Sequence, residues 1–119
     1  KHLASSGIDM VSLANNHGMD YLLPGVNEMT GVLKKSKIVF TGAGANLAAA
    51  QQPATFTLKN GVRIALISAL SFMSDGGNNI CYPATVTSPG IHALKFGGDI
   101  SAADEKRLSA WISTPSTGV

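Results

Sequence analysis

Asn15-Asn16-His17, followed by Gly18 and Asp20, is the stretch whose residue types and spacing offer chemistry. An asparagine side-chain oxygen is a neutral, hard donor that contacts a divalent metal without adding negative charge. A histidine beside it can donate a proton to a leaving oxygen or stabilise negative charge on a phosphoryl group. Asp20, three residues after the histidine, can accept from an imidazole N–H and fix the tautomer. The same residues are also good turn chemistry, because asparagine tolerates left-handed backbone and its amide satisfies loop N–H groups. Both readings are open from local physics, which favours the turn.

A site needs elements to hold it. Ile8 to Ala14 (IDMVSLA) is a near-continuous apolar run of strand length, bounded by Gly7 and the asparagine pair. Such a run reads as a strand covered on both faces, as inside α/β sheets. Residues 1–7 read as the last turns of a helix that stops at Gly7. Pro24 suits a first helical turn, and Val26, Met29, Val32 and Leu33 mark one face of a helix ending at Lys34-Lys35. Lys37–Thr41 (KIVFT) is a second short strand, and Asn46 can cap a brief helix over Leu47–Gln51 that Pro53 ends. Thr55–Lys59, Asn60-Gly61 and Val62–Leu70 read as a β-hairpin with a type I′ turn, its apolar second arm placed centrally.

Residues 71–100 are rich in Gly, Asn, Ser and Pro and read as a long loop region with short strands such as Gly90–Phe96. Ser101 to Asp104 resembles a capping box, with Leu108, Trp111 and Ile112 on the apolar side of a last helix and a fraying tail after it. Strands alternating with helices predict an α/β class with a mixed sheet and one hairpin. In open α/β sheets, ligands sit beyond the carboxyl ends of the strands, where Asn15, Asn16 and His17 fall.

Composition narrows the classes. The 119 residues suit one core; 45% are hydrophobic and 13% charged, about half the globular norm of roughly 25%. A net charge of +2, few aromatics and no basic stripe argue against a nucleic-acid partner. Lys34, Lys35 and Lys37 form the one basic cluster, read as the solvated end of a helix. Cys81 is the single cysteine, so neither an intrachain disulfide nor a cysteine metal cluster can form. No apolar run reaches the roughly 20 residues of a membrane span.

Taken in order, VSLANNHGMDYLLPGV, TGAGANLAAAQQPATF and NGVRIALISAL resemble the CapA-type poly-γ-glutamate capsule biosynthesis family of the calcineurin-like metallophosphoesterase superfamily. The resemblance covers residues 1–72 well and SPGIHALKF weakly. It implies a layered, metallophosphoesterase-like α/β sandwich, of which residues 1–119 are expected to be a single partial domain. It also implies a two-metal site of divalent ions, with Asn16 as a metal ligand and His17 as the catalytic or phosphate-contacting imidazole. Asn15 and Asp20 would support them. Capsule or poly-γ-glutamate synthesis at the cell surface or extracellular side of the membrane would be the setting. A phosphoester or anionic polymer would be the substrate, and capsule synthesis proteins the partners.

The chain lacks the superfamily's early Asp-bearing motif and its later His-rich motifs; only His2, His17 and His92 are present. One Asn and one His cannot hold a metal pair. The expectation is therefore an internal segment, inactive alone, whose uncovered faces would allow a homo-oligomer. The alternative is a non-catalytic surface or assembly protein that binds an anionic polymer or partner protein. GAGAN (Gly42–Asn46) could cradle an anion, but its spacing favours a turn with a helix cap. His92, between Ile91 and Ala93, reads as a surface or packed strand residue rather than a ligand.

Overall fold

In this computed structural model, which describes residues 2–73, 82–96 and 102–113, a glycine sets the first chain reversal. Helix α1 (His2–Ser5) closes with Gly7 at φ +77°. The Gly7 N–H donates to the Ala4 carbonyl and the Ile8 N–H to the Leu3 carbonyl, both at 3.2 Å. These two bonds satisfy the last helical carbonyls in a Schellman motif. Strand β1 (Met10–Ser12) follows. It is shorter than the apolar run predicts, although the Leu13 N–H still donates to the Thr41 carbonyl at 2.8 Å.

Helix α2 (Leu22–Lys35) buries Val26 and Leu33 and half-buries Met29, while Val32 stays exposed beside that stripe. The helix ends in a second Schellman motif: the Lys37 N–H donates to the Lys34 carbonyl and the Ile38 N–H to the Leu33 carbonyl, each at 3.0 Å. Here a lysine, not a glycine, occupies the left-handed position, at φ +58°. Leu33 and Ile38, which bracket the motif, both lie in the buried cluster. Strand β2 (Val39–Thr41) then pairs parallel to β1, Met10 opposite Val39 and Ser12 opposite Thr41. The β1–α2–β2 crossover is the unit that carries the candidate site.

Strand β3 (Ala43–Gly44) leads to helix α3 (Leu47–Gln51), where the Asn46 side chain accepts from the Ala49 N–H at 2.9 Å. Strands β4 (Ala54–Thr57) and β5 (Arg63–Leu66) form the antiparallel hairpin, in register from Ala54–Leu66 to Thr57–Arg63. Its turn is not type I′, because Gly61 has a positive φ and Asn60 does not. The Gly61 N–H donates to the Leu58 carbonyl at 2.9 Å and the Leu58 N–H to the Val62 carbonyl at 2.8 Å. That pattern is a turn followed by a left-handed glycine bulge, a longer connection that needs one positive φ instead of two.

The expected second arm breaks into β5 and β6 (Leu70–Met73). Among the described residues β5 pairs with β4 alone, and Arg63, Ile64 and Ala65 are exposed rather than central. The 71–100 region contains, besides most of β6, strands β7 (Gly90–Ile91) and β8 (Ala93–Phe96). Strand β7 pairs antiparallel with β3, and β8 with β6. The fold is α/β with both parallel and antiparallel pairs, as the alternation of elements predicts.

Two compact units emerge. In the first (residues 2–70 and 82–93), Leu13, Met19, Val26, Leu33, Ile38, Ala43 and Ile91 form the buried cluster. The second (71–73, 94–96 and 102–113) holds the β6–β8 pair and helix α4 (Ala102–Ser113). Helix α4 lies where the sequence predicts the last helix. Ser101, Cys81, the tail and the side chains of Asp104, Leu108, Trp111 and Ile112 lie outside what is described. No described helix is long and apolar enough to cross a membrane.

Candidate functional site at the carboxyl end of the parallel pair

The chain leaves β1 through Leu13, which is buried, and returns to the core at Met19, also buried. Each such anchor contributes about 1.5–3 kcal/mol of apolar burial. Between them Asn15, Asn16 and His17 are exposed. Successive backbone bonds wind this tip: Gly18 N–H to Asn15 carbonyl at 3.1 Å, Asp20 to His17 at 3.3 Å, Leu22 to Met19 at 2.8 Å. Gly18 is required by closeness, since a Cβ there would sit 2.6 Å from Ile91 Cδ1 and 2.9 Å from the Leu13 carbonyl oxygen.

The four candidate side chains divide by task. The Asn15 Oδ1 accepts from the His17 backbone N–H at 2.9 Å, an Asx turn that commits this amide to the backbone. The His17 Nδ1 lies 2.9 Å from Asp20 Oδ2. An ionised carboxylate only accepts, so Nδ1 carries the proton and the lone pair of the neutral ring falls on Nε2. The pair is open to solvent, with His17 65% and Asp20 40% exposed. An exposed pair of this kind adds about 0–1 kcal/mol to stability, so its geometry matters more for chemistry than for folding. Asn16 makes no side-chain hydrogen bond among the described residues and presents a free amide next to the imidazole.

A second group of polar atoms at the same strand ends escaped the sequence reading. The hydroxyls of Ser12, the last residue of β1, and Ser68 are in contact. His92 is fully buried; its Nδ1 donates to the Ser68 carbonyl at 2.7 Å and its backbone N–H to the Gly42 carbonyl at 2.8 Å. Gly42 holds φ +95°, and a Cβ on it would fall 2.6 Å from the Ala14 backbone nitrogen and 3.0 Å from Ser68 Oγ. His92, between β7 and β8, is thus a packed residue that ties Gly42 to Ser68. Nothing in a serine between apolar strand neighbours marks it for such a cluster.

The GAGAN stretch is a turn with a helix cap. The Gly42 N–H donates to the Ala50 carbonyl at 3.2 Å and the Leu47 N–H to the Thr85 carbonyl at 2.7 Å. With the Ala49 N–H on Asn46 Oδ1, the donors at Gly42, Leu47 and Ala49 are spent on the turn and the cap rather than offered to an anion.

A two-metal centre requires several donors for each ion. At the Asn16–His17 tip the donors are one amide oxygen and one imidazole nitrogen, with Asp20 turned to the other ring nitrogen. Among the described residues no three His, Cys, Asp or Glu side chains gather in a way that could hold an ion. The residues described here therefore do not fit a metal pair.

Residues 1–116 match the family described as Bacterial capsule synthesis protein PGA_cap. Over 91 residues, 76% of this chain and 23% of the relative, the chain is 31% identical to the PGA biosynthesis protein CapA of Bacillus subtilis (strain 168). Over 96 residues it is 30% identical to the uncharacterized proteins y4sH and y4uA of Sinorhizobium fredii (strain NBRC 101917 / NGR234), covering 79% of this chain and 20% of each. The chain thus spans about a fifth to a quarter of the length of these relatives. The match over nearly every residue, with the Asn-Asn-His tip inside it, means that this chain belongs to the bacterial capsule synthesis (PGA_cap) family.

Proposed function

We propose that the chain supplies one corner of a phosphoester- or anionic-polymer-handling site in a poly-γ-glutamate capsule biosynthesis protein working at the cell surface. The contact between His17 Nδ1 and Asp20 Oδ2 supports this reading, because it sets up an exposed imidazole with a fixed proton position. In its neutral form Nε2 takes a proton from an attacking or bound hydroxyl; as imidazolium it donates to a phosphoryl or leaving oxygen. Asp20 holds the ring orientation and balances its positive charge. The uncommitted Asn16 amide beside it can bind the same ligand.

Metal-dependent phosphoester hydrolysis is proposed only for the protein at the full length of its relatives. Asn16 would then be one donor among others that residues elsewhere provide.

Hydrolysis of bis-p-nitrophenyl phosphate by that full-length protein, with metal content measured in parallel, tests the reading. His17→Ala is expected to lower turnover about a hundredfold or more, the size of a lost acid–base group, and Asp20→Asn to a lesser degree. Asn16→Ala is expected to lower metal content. The 119-residue chain alone is expected to be inactive. Full activity in both His17→Ala and Asn16→Ala would remove this tip from the chemistry.

A further inference from the structure

The end of α2 poses a separate question: why a lysine stands where a glycine would be relaxed. Lys37 sits at φ +58°, a left-handed conformation that costs a side-chain-bearing residue stability and that glycine adopts freely. Backbone held in such a region, when not needed for packing, points to a use for the side chain. The side chain of Lys37 is exposed and lines an open groove of about 550 Å³ between the end of α2 and the start of β4, together with Lys34, Phe40, Pro53 and Thr55. The Lys34 Nζ lies 5.9 Å from the centre of the Phe40 ring, within cation–π range, so this ammonium is steered along the groove wall. Lys35 is exposed beside them. None of the three lysines is in an ion pair among the described residues.

We propose that this groove docks a linear polycarboxylate chain, with Lys34 and Lys37, which line it, pairing with carboxylates there and the neighbouring exposed Lys35 with a further one. Only the identity of the polymer rests on the capsule reading above; the groove lies on the α2–β2 connection and β4, apart from the Asn16–His17 tip. Three unpaired ammonium groups within four residues complement a chain that carries a carboxylate on every unit. The open groove does not enclose a small molecule and leaves a polymer free to pass on beyond it. Helix-end electrostatics explains cations at Lys34 and Lys35, but it does not explain a strained lysine at position 37 in place of glycine.

Fluorescence anisotropy of labelled poly-γ-glutamate of defined length, titrated with the 119-residue chain at low and at physiological salt, tests the proposal. Binding is expected, weakening as salt rises. The triple variant Lys34→Gln, Lys35→Gln, Lys37→Gln is expected to lose about tenfold in affinity, the sum of three exposed pairings. Lys37→Gly is the sharper variant, because it is expected to raise the melting temperature while lowering affinity about two- to fivefold. Lys59→Gln, at the exposed hairpin turn, is expected to bind as wild type, and because the readout is binding rather than turnover the result stands apart from the fate of the catalytic reading. Wild-type affinity in the triple variant or in Lys37→Gly overturns the proposal. So does tighter binding to phosphatidylglycerol vesicles or to a single-stranded oligonucleotide than to the polymer.

Discussion

Two reversals leave the same end of the parallel pair, and they differ in what their side chains are free to do. After β2, the reversal into α3 turns donors inward: the Gly42 N–H to Ala50, the Leu47 N–H to Thr85, and the Ala49 N–H to the Asn46 side chain. After β1, residues 15–20 close through their own backbone and one amide, Asn15. Asn16 and His17 are left exposed at the tip, with His17 oriented by Asp20. A turn can present reactive side chains only when its backbone is satisfied without them. Resemblance to a phosphate cradle made the glycine-rich reversal a candidate, yet its donors at Gly42, Leu47 and Ala49 are spent on the fold; the plainer asparagine turn is the one that leaves side chains exposed for chemistry.

The largest expected effect breaks the inward reversal. Gly42→Ala adds a Cβ at a positive φ and within 2.6 Å of the Ala14 backbone nitrogen. The conformational and overpacking costs together are expected to destabilise the chain by about 3 kcal/mol. Urea unfolding of the 119-residue chain measures it. Because Ala14 directly precedes the Asn15 turn, amide exchange at Asn15–His17 should quicken in the same variant. A loss under about 1 kcal/mol, within the range of ordinary surface changes, would mean that the two reversals do not brace each other.

Asn46→Ala is the milder probe of the same reversal, expected to cost about 1 kcal/mol through the lost cap of α3. This cap was legible in the sequence, as were the Gly7 helix stop, the β1–α2–β2 crossover and the hairpin, because each depends on residues close together in the chain. What could not be read depends on distant neighbours. The hairpin's second arm is apolar in Ile64 and Ala65, but covering it requires another strand, and β4 is its one partner among the described residues. The contact between Ser12 and Ser68, and the bond from His92 to the Ser68 carbonyl, join positions 24 and 56 residues apart. The left-handed lysine at position 37 was invisible because the usual signal for that position is glycine. The Asn16–His17 tip was legible as residues at a strand's end, while the separate tasks of Asn15 and Asp20 needed coordinates.

The smallest effects sharpen the comparison most, because they separate shape from chemistry inside one turn. Asn15→Ala removes the acceptor for the His17 backbone N–H and is expected to cost about 1 kcal/mol, as for a lost neutral hydrogen bond. His17→Ala removes only the exposed pairing with Asp20 and is expected to change stability by about 0.5 kcal/mol or less. Asn15 then holds the turn and His17 is carried by it, so the two variants should rank one way in unfolding and the other way in turnover of the full-length protein. If His17→Ala instead destabilises the chain as much as Asn15→Ala, the imidazole–carboxylate contact is a structural clasp. The tip would then have no side chain left over for catalysis except Asn16, and the reversal after β1 would resemble the one after β2, with its polar groups turned to holding the fold.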